Sequence, residues 1–129
     1  MTEVLLDTHA FLWFDLAPEK LSLRARTLIL DPETFVFVSS MTAWELGIKF
    51  ALGKLPEAQT MVQKFHQKLA QYQFFELAFT SADAFCAAAL PPGHKDPFDR
   101  ALAAQALERK IAIVSGDAAL DSFGVSRIW

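Results

Sequence analysis

DPFDRALAAQALERKIAIVSGD, residues 96–117, is the stretch that decides the fold. Pro97 stands at a first helical position, where its missing N–H removes no hydrogen bond, and Asp96 before it suits an N-cap. The helix runs Pro97–Arg109 and closes in Arg109-Lys110, cations at the negative end of its dipole. Ile111–Val114 follows at once, apolar without alternation, as in a strand covered on both faces. Ser115-Gly116-Asp117 then turns the chain. A helix that feeds a buried strand ending at an acid is a unit of α/β architecture.

Similar units recur outward from this one. Val4–Leu6, Phe35–Val38 and Val125–Ile128 read as strands, and Phe74–Leu77 as a weaker fifth. Between them lie helical patterns: Leu21, Ala25 and Leu28; Val62, Phe65, Leu69 and Tyr72; and the Ala-rich Ala82–Ala89, which stops before Pro91-Pro92. Thr42–Gln71 holds two helices in a row, so one crossover is expected to be a helical hairpin. The expected fold is an α/β three-layer sandwich: a central, mostly parallel five-stranded sheet with helices on both faces, in a single domain over residues 1–129.

Composition narrows the function classes. Hydrophobic residues make up 53% and charged residues 21% of 129, which excludes a disordered chain. The longest stretches without Asp, Glu, Lys or Arg are Thr34–Trp44 and Ala84–His94, each too short to span a bilayer. No basic leader precedes an apolar run near the N-terminus. Cys86 is alone, so neither an internal disulfide nor a cysteine zinc site is available. These features point to a soluble, cytoplasmic protein without membrane association. A net charge of −3 argues against a broad basic face for nucleic acid, but leaves room for a site where a metal supplies the positive charge. Twelve Phe are many for this length and suit a surface that a partner covers.

In an open α/β sheet, ligands bind beyond the carboxyl ends of the strands, so the first polar residues there carry information. Asp7 follows the first strand and reads equally as the N-cap of a helix over Thr8–Asp15. Glu45 lies on a helix, Thr42–Leu52, that is apolar nearly all round and therefore expected to be buried. A buried carboxylate needs a partner or a metal; Lys49 at i+4 is the ordinary alternative. Asp99 shares a face with Leu102, Ala103 and Ala106 and points toward the sheet. Asp96 reads first as a cap. Asp117 follows the Ile111–Val114 strand and either caps a short helix through Phe123 or joins the other acids; Asp121 belongs to the solvated face.

Asp7, Glu45, Asp99 and Asp117 come from four segments that all reach one sheet edge. At 4 Å and an effective dielectric near 20, each carboxylate pair costs about 4 kcal/mol, so such a cluster needs protons or a cation. A set of oxygens with no His or Cys nearby selects Mg²⁺ or Mn²⁺. Such ions lower the pKa of bound water, orient it in line and stabilise a leaving oxygen in phosphodiester hydrolysis. Thr8, Ser39 and Ser115 are placed to hydrogen-bond the acids from behind, while Ser40 reads as a helix cap. His9, His66 and His94 lack an i+4 His partner, which argues against zinc. No phosphate-binding Gly-rich loop and no nucleophilic-serine motif is present, so no small-molecule cofactor is expected. Trp13, Trp44 and Trp129 read as core. Lys49, Lys54, Lys95 and Arg100 lie near the edge and are available to phosphates.

With these residues in place the chain resembles a known family. LLDTHAFLW (5–13), SSMTAWELGIKFALGKL (39–55), HKDPFDRALAAQAL (94–107), IAIVSGDAAL (111–120) and FGVSRIW (123–129) look like PIN-domain proteins, in particular the VapC-type toxins of bacterial toxin–antitoxin systems. The resemblance covers essentially the whole chain, and DPFDR with its Ala-rich helix is its most specific part. It implies a PIN fold and a Mg²⁺- or Mn²⁺-dependent endoribonuclease. The family's acidic quartet falls on Asp7, Glu45, Asp99 and Asp117, with Asp96 as an auxiliary acid. Asp7, Asp99 and Asp117 would ligate the metal, and Glu45 would do so directly or through water, leaving a 5′-phosphate and a 3′-hydroxyl. It also implies a homodimer held inactive by a cognate VapB-type antitoxin. The rival readings are a receiver-like signalling module and an inactive PIN scaffold that only binds. A receiver needs a phospho-accepting Asp at the end of a middle strand and a Lys after the last one; Phe35–Val38 is followed by Ser, and the last strand only by Trp129.

Overall fold

A computed structural model describes residues 2–129. Its five strands are β1 (Thr2–Leu6), β2 (Thr34–Ser39), β3 (Phe75–Leu77), β4 (Ala112–Val114) and β5 (Arg127–Ile128). They form one sheet in the order β3-β2-β1-β4-β5, with every pairing parallel. The helices are α1 (Thr8–Leu16), α2 (Leu23–Leu30), α3 (Ser40–Ala51), α4 (Gln59–Gln63), α5 (Phe65–Tyr72), α6 (Ser81–Ala89) and α7 (Pro97–Arg109), with short 3-10 turns between some of them. The expected α/β sandwich is therefore the observed one, and the sheet is wholly rather than mostly parallel.

Alternation along β1 builds the two cores. Val4 and Leu6 pack on one side of the sheet with Phe11, Ala25, Leu46, Met61, Phe65 and Leu69, which come from α1 to α5. Leu5 packs on the other side with Leu102, Ala103 and Ala106 of α7. A strand buried on both faces has no polar alternation to display, which is why these runs read as continuous apolar segments.

Two details place the site. Leu6 pairs with Val38 on one side and with Val114 on the other. The three inner strands thus end level, and the residues after them emerge together. The chain builds β2 and β3 outward on one flank of β1, then crosses to lay β4 and β5 on the other. The strand order therefore reverses between β1 and β4, the place where ligands bind in such sheets.

Other expectations need correction. The stripe Val62, Phe65, Leu69, Tyr72 is not one helix: Lys64 leaves helical geometry at φ −128° and ψ 33°, separating α4 from α5, although Met61, Phe65 and Leu69 still bury together. The middle crossover is thus α3 followed by two short helices rather than a plain hairpin. Nor is α3 buried all round. Trp44 is 58% exposed and Leu52, just past its end, is exposed as well; only Thr42, Glu45 and Leu46 are buried. Among the described residues no helix is long and apolar enough to cross a membrane.

Candidate metal centre

The acids emerge from the level strand ends. Asp7 follows β1 directly. Its backbone N–H donates to Val114 O at 3.0 Å, and its Oδ1 accepts from Ala10 N at 2.8 Å as the cap of α1. Capping and site are thus one geometry here, not alternatives. Asp7 is buried, and burial pushes its pKa up from 3.8 to about 6, against the opposing pull of hydrogen bonds from Ser115 and Ala10.

Asp99 lies in the first turn of α7, half-buried, and its Oδ2 lies 2.7 Å from His94 Nε2. Burial raises its pKa; the His94 contact lowers it, and the charges of Asp96 and Glu45 raise it further. Asp117 follows β4, is exposed, and caps the 3-10 turn Ala118–Phe123 by accepting from Ala119 N at 3.0 Å. One ligand atom each from His94, Asp99 and Asp117 lie within 4.8 Å of one another. Asp7 feels the charge of Asp99, and Asp7 and Asp117 line one cavity of about 440 Å³. The structure thus gathers Asp7, Asp99 and Asp117 around the switch point between β1 and β4.

Glu45 is 3% exposed and already partnered. It accepts from the Thr8 hydroxyl and from Lys49 Nζ, each at 2.5 Å. The ion pair at i+4, the ordinary alternative, is present, and Glu45 is not among the residues whose ligand atoms converge, although its charge adds to the rise in the Asp99 pKa. Asp96 caps α7, accepting from Phe98 N at 2.8 Å and Asp99 N at 3.2 Å. Thr8 holds Glu45, and Ser115 Oγ accepts from Asp117 N at 3.0 Å.

Ser39 and Ser40, where β2 runs into α3, both depart from expectation. Ser39 is buried and caps α3 through Met41 N, while Ser40 is not the cap: its Oγ accepts from Phe79 N at 3.0 Å and ties α3 to the segment after β3. Among the described residues Ser39 touches no acid through its hydrogen bonds; its one side-chain bond is the cap it accepts from Met41 N.

Three features escaped the sequence reading. First, the set is not free of imidazole: His94 sits against Asp99 across the turn that opens α7. Second, Arg100 faces no open phosphate site. Its guanidinium donates to the carbonyls of Ala87, Leu90, Pro91 and His94 at 2.8–3.4 Å, gathering the loop that carries His94. Phe123 braces both, its ring 5.6 Å from the His94 ring and from Arg100 Cζ. Lys49 is likewise engaged, by Glu45. Third, Trp13 and Trp129 are half-buried and line the cavity beside Asp7 and Asp117, while Trp44 lies on the surface against Phe98. A signal for His94 was present: it precedes the Asp-Pro helix start by two residues, within reach of the first turn.

The donor set suits a hard divalent cation. Two carboxylates, Asp99 and Asp117, converge with the His94 imidazole, Asp7 shares a cavity with Asp117, and burial raises the pKa of Asp7 and of Asp99. Carboxylate oxygens favour Mg²⁺ or Mn²⁺, and a cation among them would favour the charged forms against the burial that raises those values.

Comparison with known proteins follows the same lines. No curated protein matches the chain. Among solved structures, VapBC2 from Rickettsia felis bound to a DNA fragment from its promoter is similar with a TM-score of 0.71 and 14% identity, covering 98% of both chains. FitAcB from Neisseria gonorrhoeae gives 0.70 and 20%, covering 98% of this chain and 96% of that one. A toxin–antitoxin complex from Klebsiella pneumoniae gives 0.61 and 15% with the same coverage. At such identities the likeness speaks for the fold. The PIN domain family model matches residues 4–125, from inside β1 to just before β5, and so spans every acid described above. The chain belongs to the PIN-domain family.

Proposed function

We propose that this protein is a Mg²⁺- or Mn²⁺-dependent endoribonuclease that serves as the toxin of a toxin–antitoxin pair. The observation that carries this reading is the convergence of Asp99 and Asp117 beside buried Asp7, at the crevice where the strand order reverses. Asp7, Asp99 and Asp117 would hold the ion, and Glu45 would contribute directly or through water. The chemistry a divalent ion supplies when bound is Lewis acidity at the phosphodiester and a lowered pKa for the attacking water. The chain's own residues do the rest. Thr8 orients Glu45, His94 orients Asp99, and the Ala10 N–H holds one oxygen of Asp7. A single-stranded RNA phosphate would enter where these oxygens face the cavity.

The antitoxin partner draws support from two sources. One similar solved structure, from Klebsiella pneumoniae, is a toxin–antitoxin complex, and this chain exposes large apolar side chains, among them Phe85 at 78% and Trp44, that a partner would cover. A homodimer and a cytoplasmic setting belong to the same reading. The test is direct. Purified chain, incubated with RNA in Mg²⁺ or Mn²⁺, should cleave to 5′-phosphate ends; chelation or Asp99→Asn should abolish cleavage. Cleavage by Asp99→Asn at the normal rate would overturn the assignment.

A further inference from the structure

The cavity beside the acids has aromatic walls that hydrolysis itself does not use. His9 and Trp13, on α1, have ring centroids 5.4 Å apart, and Trp13 lies 6.1 Å from Trp129 with the two indoles tilted by 55°. Rings at that tilt do not stack face to face, and both indoles line the cavity. Lys20 brings its Nζ to 5.8 Å from the Trp13 ring. Trp129 also packs against the turn that carries Asp117: a Cβ at Gly116 would lie 3.0 Å from its ring. The aromatic platform and the acids are therefore one continuous surface, with Asp7 and Asp117 lining the same 440 Å³ as the rings.

We propose that this cavity is a nucleobase subsite of the proposed nuclease, in which a base flanking the scissile phosphate stacks on Trp13 and Trp129. The proposal rests on the ribonuclease reading. Single-stranded RNA can splay an unstacked base onto aromatic side chains, and such stacking tolerates any base because each has a π face. The volume is that of an ordinary small-ligand pocket. The Lys20 ammonium supplies the positive charge that a neighbouring phosphate needs, and the acids reach the backbone only through a cation. Aromatic rings beside one ammonium, next to acids that would hold a cation, match a base joined to a phosphate, which makes RNA the favoured occupant.

The three tryptophans give three indole N–H signals in ¹⁵N-labelled full-length protein, and Trp44, which does not line the cavity, serves as the internal control. A nucleoside 5′-monophosphate carries base and phosphate but no internucleotide bond, so titration in Mg²⁺ reads binding without turnover. Ribose 5-phosphate is the probe without a base. The nucleotide should shift Trp13 and Trp129 but not Trp44, and ribose 5-phosphate should shift neither at the same concentrations. Trp13→Leu should weaken nucleotide binding about tenfold. His9→Ala, at an exposed position that adds little to packing, should weaken it measurably and keeps the test decisive if Trp13→Leu unfolds. Equal shifts from both probes, no shift of Trp13 and Trp129, or unchanged binding in the folded variants would overturn the base subsite. Failure of the underlying reading looks different: the wild-type chain would then leave RNA intact in Mg²⁺ and Mn²⁺, whatever the indole signals do.

Discussion

The Nε2 of His94 lies 2.7 Å from Oδ2 of Asp99 and bridges a five-residue gap across the Pro-initiated head of α7. That contact fixes the rotamer of an acid whose charge is otherwise disfavoured by burial and by Asp96 and Glu45. Partners of this kind typically change metal affinity or activity by about 10–100-fold when removed. His94→Ala should therefore weaken Mn²⁺ binding, followed by electron paramagnetic resonance, and lower RNA cleavage within that range while the fold persists. Wild-type Mn²⁺ affinity in His94→Ala would show that Asp99 needs no such support.

Asp7 makes stability depend on pH. Its folded pKa of about 6 exceeds its ordinary 3.8, so the native state holds the proton more tightly than the unfolded chain. The stabilisation from this group is fully present below about pH 3.8 and is lost as pH rises through about 6. Its size is up to about 3 kcal/mol, two pKa steps at 1.36 kcal/mol each with some excess. Asp99, also raised, acts in the same direction. Metal-free protein should lose Tm across that window, Asp7→Asn should flatten the loss and be more stable at pH 7, and Mg²⁺ should restore wild-type Tm in a concentration-dependent way. Thermal melts across pH 4–8, in chelator and at rising Mg²⁺ without it, check all three.

Arg100 holds the His94 loop through four carbonyls and through the ring of Phe123. Leaving those acceptors without their donor should cost on the order of 2 kcal/mol. Arg100→Met should lower Tm, speed amide exchange over residues 90–96, and reduce cleavage through His94. Arg100→Lys should rescue little, because one ammonium cannot reach acceptors that a planar fork spans. Full rescue by Lys would mean that charge, not geometry, is what the loop needs.

How much of this could be read in the residues depends on the range of the interaction. Val4–Leu6 and Ile111–Val114 are short apolar runs with an acid close behind, and parallel pairing alone brings Asp7 and Asp117 to one edge. That much follows from local pattern and sheet geometry. An apolar helix pattern does not say whether its own chain covers it, and α3 leaves Trp44, with Leu52 just past its end, open to solvent. His94 was judged by the spacing that zinc prefers, and its actual partner lies across a loop whose shape Arg100 sets. Gln105 is a polar residue within the Ala-rich run of α7. It is fully buried, donating at 3.3 Å to Asp83, which Arg109 also meets at 3.1 Å. Burial would push Asp83 up, but hydrogen bonds from Glu108, Thr80, Arg109 and Gln105 outweigh it and hold its pKa at about 2. Pairs between α6 and α7 of this kind join residues some twenty positions apart and have no signature in either helix alone.

Glu45 offers the sharpest separation between a ligand and a structural anchor. It is buried, and its two partners are the Thr8 hydroxyl and the Lys49 ammonium. Lys49→Met would remove the ammonium and keep most of the stem, leaving a buried carboxylate with one hydroxyl. Breaking such a pair from one side typically costs about 3–5 kcal/mol, less where, as with Lys49, one partner is partly exposed. In chelator the Tm should therefore fall by several degrees. If Glu45 reaches the ion in the proposed site, the cation takes over the role of the ammonium, and saturating Mg²⁺ should raise the Tm of Lys49→Met by more than it raises wild type. Glu45→Gln should show the converse: little loss in chelator and a smaller gain from Mg²⁺. Equal Mg²⁺ gains in wild type, Lys49→Met and Glu45→Gln would place Glu45 outside the metal's reach and leave it as the anchor of α3 alone.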